Sequence, residues 1–221
     1  MENFVIIDSD SLVKDKKDIS YYVYESIRNI YGIITNINLE KYKELTSKET
    51  AIEILKENGL SDSEITPRLD RYLEDLPYSY YNVAWSDKIE SSNGAKQFLE
   101  LLNKKKIEVG LISNEPTDLA KMRLKKLGLE KHFTFYSGAE NGITPLEILK
   151  NGLAQAESNY NLASEQCVLI SSSKRFLEAG KAFNTYTVGM ASSPEEKGRL
   201  INAQPDEILP SFKEKPKVLK L

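Results

Sequence analysis

Phe4-Val5-Ile6-Ile7-Asp8-Ser9-Asp10-Ser11-Leu12-Val13-Lys14-Asp15 is the stretch on which the fold turns. Four apolar residues between polar neighbours read as a short strand covered on both faces, the kind found inside a parallel sheet. The run ends on two acids in alternate positions. Side chains alternate along an extended chain, so strand geometry continued to Asp10 would put both carboxylates on one side. Open α/β sheets bind their ligands at the carboxyl ends of such strands. There one carboxylate can attack an electrophile while its neighbour gives and takes protons. Asp and Ser also end strands and start turns for local reasons, so the pair gains meaning only from the remaining segments.

Beyond Asp15 the spacing becomes helical. Ile19, Tyr22, Val23, Ser26, Ile27, Ile30 and Tyr31 share one face of a helix predicted over 18–33, with Gly32 as its stop. Further helices are predicted at 39–45, from Ser47 as N-cap to Gly59, and from Ser61 onward with Ile65, Leu69, Tyr72, Leu73 and Leu76 on one side. No strand is expected between Ser20 and Trp85, so an all-helical block follows the first strand. Tyr21, Tyr22, Tyr24, Tyr78, Tyr80 and Tyr81, with Trp85, sit at its two ends and are read mainly as packing between its helices. After it, strands at 107–112, 133–136, 167–170 and 185–188 alternate with helices that reach Leu102, Leu127, Tyr160 and Phe183. That rhythm predicts an α/β fold with a Rossmann-like, doubly wound parallel sheet. Past Pro205 the tail reads as polar, with one short apolar run at Ile208-Leu209.

Charged residues at 29% and hydrophobic ones at 40% fit an ordinary globular protein. The net charge of −3, with both signs interleaved, leaves no electrostatic footprint for nucleic acid or an anionic membrane. The first apolar run stops at Asp8, too early for a signal or spanning segment. A single cysteine, Cys167, excludes an internal disulfide and points to a reducing compartment. A cytoplasmic protein is expected, with its oligomeric state open. Cys167 is read as a small core residue, and His132, the sole histidine, as a surface or capping residue.

Four segments occur in a telling order around the helical block: Asp8-Ser-Asp-Ser-Leu-Val-Lys-Asp15, Gly110-Leu-Ile-Ser113-Asn114, Tyr136-Ser-Gly-Ala-Glu140 and Glu178-Ala-Gly-Lys-Ala-Phe183. With them the chain resembles the haloacid dehalogenase (HAD) superfamily, in its helical-cap branch of phosphoglycolate phosphatases and β-phosphoglucomutases. The resemblance implies a HAD-like core over 1–16 and 89–221 and a helical cap over 17–88, hinged near 14–17 and 88–92. It implies Asp8 as the nucleophile that forms an aspartyl-phosphate and Asp10 as the general acid and base. Ser113 and the backbone N–H groups after Asp8 would hold phosphoryl oxygens, and Asn114 and Glu115 could reach the cleft. A small phosphorylated metabolite and Mg²⁺ are the implied substrate and cofactor.

Two motifs depart from the family pattern. Where a lysine precedes a proline, this chain has Gly142-Ile143-Thr144-Pro145-Leu146-Glu147, and Lys150 lies a helical turn or more beyond. Where acids complete the metal site, it has Ser171-Ser172-Ser173-Lys174-Arg175-Phe176. Asp8, the Asp10 carbonyl and neutral serine hydroxyls remain as ligands, so Mg²⁺ binding is expected to be weak or absent. Lys174 and Arg175 become candidates to contact an anion instead. Three functions stay open: a phosphatase-type hydrolase, a degenerate member serving as a binding or regulatory module, and a metal-free 2-haloacid dehalogenase.

Overall fold

The computed structural model describes residues 4–15, 20–85 and 88–221. The chain opens with β1 (Phe4–Asp8), a helical turn α1 (Ser9–Leu12) and β2 (Val13–Asp15). Four helices follow: α2 (Ser20–Tyr31), α3 (Ser47–Glu57), α4 (Asp62–Ile65) and α5 (Leu69–Ala84). Next come β3 (Ile89–Ser91), α6 (Ala95–Lys104), β4 (Val109–Ile112), α7 (Thr117–Lys126), β5 (Phe135–Ser137) and α8 (Pro145–Tyr160). The last third holds β6 (Cys167–Ser171), α9 (Lys174–Ala182), β7 (Tyr186–Met190), α10 (Pro194–Ile201) and β8 (Glu207–Leu209).

Six strands form one parallel sheet in the order β5-β4-β1-β6-β7-β8. From β1 the chain builds outward through β4 to β5, then returns to the other side of β1 for β6, β7 and β8. The winding direction therefore reverses at β1, the position where such sheets open a crevice beyond their carboxyl ends. All five residues of β1 are buried, as a central strand covered on both faces requires. Val5 and Ile7 join Val109, Leu111, Phe98 and Leu124 on one face, while Phe4 and Ile6 join Phe135, Ile148 and Leu169 on the other. Phe4 and Phe135 stack with centroids 5.2 Å apart. Gly110 makes room for this: a Cβ there would lie 2.2 Å from the Phe135 ring.

The helical insertion has its own apolar centre around Ile27, Leu55, Tyr72 and Leu76, to which the sheet portion adds Leu119 and Ala139. At its base β2 and β3 pair antiparallel, Val13 with Ser91 and Asp15 with Ile89. This ribbon was not expected, because three-residue strands carry too little pattern. Lys16, Lys17, Asp18 and Ile19, and with them the boundary expected at 16/17, lie outside the described residues.

Several expected elements differ. The helix over 39–45 is a 3₁₀ turn, Leu39–Lys41. The N-cap of α3 is Thr46, not Ser47: its hydroxyl accepts from Glu49 N–H and the Glu49 carboxylate accepts from Thr46 N–H. The helix from Ser61 is interrupted by a 3₁₀ turn at Thr66-Pro67-Arg68 before α5 begins. β4 starts at Val109 rather than Ile107, and β5 starts two residues later and ends one residue later than expected, at Phe135–Ser137. An unexpected helix, α10, follows β7, and the tail adds β8. Of the tyrosines at the ends of the insertion, Tyr22 and Tyr80 are buried edge to face, while Tyr21, Tyr78 and Tyr81 are exposed. His132 is buried rather than on the surface, its Nδ1 3.1 Å from Asn103 Nδ2, and burial lowers its pKa. Cys167 is a free, buried thiol at the start of β6. Among the described residues, no helix is long and apolar enough to cross a membrane.

Candidate active site

The strand ends at Asp8 because the chain turns there into a helical turn, which the Asp8 carboxylate caps by accepting the Asp10 N–H at 3.1 Å. The alternation that would have set both carboxylates side by side therefore stops one residue too soon. Asp8 is fully buried; Asp10 sits in the first turn of α1 with its side chain 44% exposed, its Oδ1 3.6 Å from Arg123 Nη1. The other Asp8 oxygen accepts the Ser171 hydroxyl at 2.9 Å, and the nearby Ser172 N–H favours the charged carboxylate. Burial pushes the Asp8 pKa up to about 6; the hydrogen bonds from Ser171, Asp10 and Ser172 pull it down, and the Glu115 charge pushes it up. Asp8 is thus mostly ionised at neutral pH yet unusually basic for a carboxylate.

Ser113 follows β4, beside Asp8. Its Oγ accepts from the Ser9 hydroxyl at 2.9 Å and from the Glu115 N–H at 3.0 Å. Both bonds use its lone pairs, so its own proton is left to donate elsewhere. Asn114 is buried, its carbonyl accepts the Ser47 N–H at 2.8 Å, and its side-chain oxygen has no hydrogen-bond partner. Glu115 points to the insertion, accepting the Tyr22 hydroxyl at 2.6 Å and Arg123 Nη1 at 2.5 Å. Burial first, then the Glu115 charge, raises the Tyr22 pKa and keeps that phenol protonated.

Lys174 and Arg175 stand elsewhere than at Asp8. Lys174 pairs with Glu178 one turn along α9, at 3.4 Å. Arg175 forms a two-pronged pair with Glu49 of α3, at 2.5 and 2.7 Å, and donates to the Glu44 carbonyl. The first turn of α9 aims them at its own surface and at the insertion. A different arginine, which sequence reasoning missed, reaches the site. Arg199 of α10 donates through Nη2 to the Ser172 carbonyl at 3.0 Å and pairs with the Glu44 carboxylate. Burial lowers its pKa while the Asp8 charge raises it. Arg199, Glu44, Asp10, Asn114, Ser172 and Ser173 share a cavity of about 430 Å³.

A model of haloacid dehalogenase-like hydrolases matches residues 5–190. The chain belongs to this haloacid dehalogenase-like hydrolase family. A phosphorylated carbohydrates phosphatase of Thermotoga maritima is 26% identical over 220 residues, covering 95% of this chain and 98% of the relative. The pyrophosphatase PpaX of Listeria welshimeri is 27% identical over 133 residues, 60% of this chain and 61% of that one. The crystal structure of β-phosphoglucomutase from Clostridium difficile superposes with a TM-score of 0.68 at 18% identity, over 100% of this chain and 96% of that chain, a likeness of fold.

Membership of the haloacid dehalogenase-like hydrolase family raises the question of Mg²⁺, a hard cation that favours octahedral oxygen ligation anchored by one or two carboxylates. Next to Asp8 the donors are neutral: the Ser171 hydroxyl, the Ser172 carbonyl, the Ser113 hydroxyl. The Asp10 carboxylate faces Arg123, and the guanidinium of Arg199 occupies the Ser172 carbonyl. Among the described residues, no group of three His, Cys, Asp or Glu side chains could hold a metal ion. With the single carboxylate of Asp8 already accepting from Ser171 and the Asp10 N–H, this is a poor donor set for Mg²⁺.

Proposed function

We propose that the protein is a phosphatase-type hydrolase of small phosphorylated metabolites. One observation carries the reading: a fully buried carboxylate, raised to about 6, at the carboxyl end of the central strand where the sheet reverses. Asp8 forms a bond to phosphorus as the bond to the leaving oxygen breaks, and Asp10, in reach of solvent, protonates that oxygen. Water, giving its proton to Asp10, then cleaves the aspartyl-phosphate to inorganic phosphate and the free carboxylate. Ser113 donates its unused proton to a phosphoryl oxygen, and arginine supplies the positive charge that phosphoryl transfer requires. Residues 1–16 and 89–221 act as core and 17–88 as the cap that closes over the substrate and excludes water.

A second reading has its own support. Asp8 has no exposed surface and both its oxygens are hydrogen-bonded, as expected of a binding module that keeps the cleft without turnover. A panel of phosphomonoesters, assayed with and without Mg²⁺ on the wild type and Asp8→Asn, separates the two. Turnover lost in Asp8→Asn and indifferent to Mg²⁺ is expected; no phosphate release from any ester overturns the hydrolase reading. Halide release from a 2-haloacid under the same conditions would redirect the assignment to carbon–halogen cleavage.

A further inference from the structure

We propose that Arg199, Ser173 and Asn114 form a phosphate subsite beside Asp8, and that the carboxylate of Glu44 occupies this subsite until a phosphoryl group displaces it. The proposal deepens the hydrolase reading, resting on it only for the anion's being the reacting group. Ser171 donates its hydroxyl to Asp8 at 2.9 Å, and the carbonyl of the next residue, Ser172, accepts Arg199 Nη2 at 3.0 Å. The guanidinium is therefore fixed one residue along the chain from a partner of the candidate nucleophile and shares a cavity with Asp10. That cavity, about 430 Å³, has the size of a small-metabolite pocket.

Glu44 reaches this place from the insertion and behaves as an internal anion. Its carboxylate pairs with Arg199 and accepts the Ser173 hydroxyl at 3.2 Å, at the start of α9. Arginine with a hydroxyl at a helix amino end is a recurrent way to hold phosphate oxygens. Asn114 is a separate indication: a buried side chain lining the same cavity, with an amide oxygen that no protein group satisfies. Turned about its last bond, the amide presents N–H donors to an oxyanion instead. The Glu44–Arg199 pair is half-buried, the two side chains being 34% and 26% exposed, so an anion from solution can still reach it. Glu195 and Glu196 also face the cavity, and Glu196 is committed to capping α10 by accepting from Ser192 and Ser193 N–H. Arg175, by contrast, is bound to Glu49 and takes no part.

The test is calorimetric titration of the full chain with inorganic phosphate at constant ionic strength, on the wild type, Arg199→Gln, Arg199→Lys, Glu44→Gln and the double variant Glu44→Gln/Arg199→Gln. Removing the internal competitor should tighten phosphate binding about tenfold, and removing the guanidinium should weaken it by at least about as much. Arg199→Lys should retain part of the affinity, and the double variant should bind no better than Arg199→Gln. Melting temperatures within a few degrees of wild type establish that the variants are folded. Phosphate affinity unchanged in Arg199→Gln, or weakened in Glu44→Gln, overturns the subsite. Phosphate binding that follows Arg199 in a protein that cleaves no phosphomonoester keeps the subsite and sinks the hydrolase reading. Turnover indifferent to Arg199→Gln does the reverse.

Discussion

Replacing Asp8 by Asn should make the protein more stable at neutral pH while abolishing whatever chemistry the carboxylate performs. Asp8 is an acid whose folded pKa, about 6, lies above its ordinary 3.8. The folded state therefore holds the proton more tightly than the unfolded state, and stability is lost as pH rises from about 4 through about 6. At about 1.4 kcal/mol per tenfold change in proton affinity, the ionised group costs about 3 kcal/mol above pH 7. Asparagine removes that charge. Its oxygen can still accept the Asp10 N–H, and the Ser171 hydroxyl can rotate to accept from the new amide. The charge-assisted bond with Ser171 becomes a neutral one, at a cost of about 1 kcal/mol. A net gain of about 2 kcal/mol is expected at pH 7.5. Urea unfolding of both proteins at pH 7.5, 5.0 and 4.0 reads it directly. The charge-dependent part of the difference should fall to about half at pH 5 and to about a fifth at pH 4. An Asp8→Asn protein no more stable than wild type at pH 7.5, with a difference independent of pH, would refute the claim that burial strains this carboxylate.

The same pKa sets the acid limb of catalysis: kcat/KM on a phosphomonoester should fall about tenfold per pH unit below about 6, and a flat profile from pH 7 to 5 would remove Asp8 as the nucleophile. Gly110→Ala should lose about 1–3 kcal/mol in denaturant titration because its Cβ would meet the Phe135 ring at 2.2 Å, with partial recovery in Gly110→Ala/Phe135→Leu. Arg175 and Glu49 join α9 to α3 through two half-buried bonds. A double-mutant cycle on their alanine variants should give a coupling of about 1 kcal/mol; additive losses would show the pair contributes nothing between them.

What the sequence disclosed followed from the size of each local signal. β1 announced itself because four consecutive apolar residues have few alternatives to a doubly covered strand. α8 ends at Tyr160 as the spacing predicted, and Thr144-Pro145 with Glu147 marks its start by a capping box with proline in the first turn. α10 carries a similar box at Ser193–Glu196, yet only Leu200 of its residues is buried, so no apolar period betrayed it. Arg199 was invisible for the same reason: an arginine on a polar helix has no pattern, and only the return of the chain through β7 brings it to Ser172. Asp10 was misplaced because the strand period was extended past the residue that caps the next turn. Lys174 and Arg175 were sought at the end of β6 from linear proximity, whereas their direction depends on the helix they begin and on Glu49, 126 residues distant in sequence.

The ribbon of Val13–Asp15 against Ile89–Ser91 gives the molecule a socket. The chain leaves for its helical excursion and comes back at points one strand spacing apart, about 5 Å. A tight reverse turn could join Asp15 to Ile89 without redirecting any of the six parallel strands. Such an excision would bare Leu119 and Ala139 and deprive Arg175 and Arg199 of their partners Glu49 and Glu44. Excursions of other shapes could thus be exchanged at this one junction while β1 and the bonds of Asp8 to Ser171 and Asp10 stay as they are.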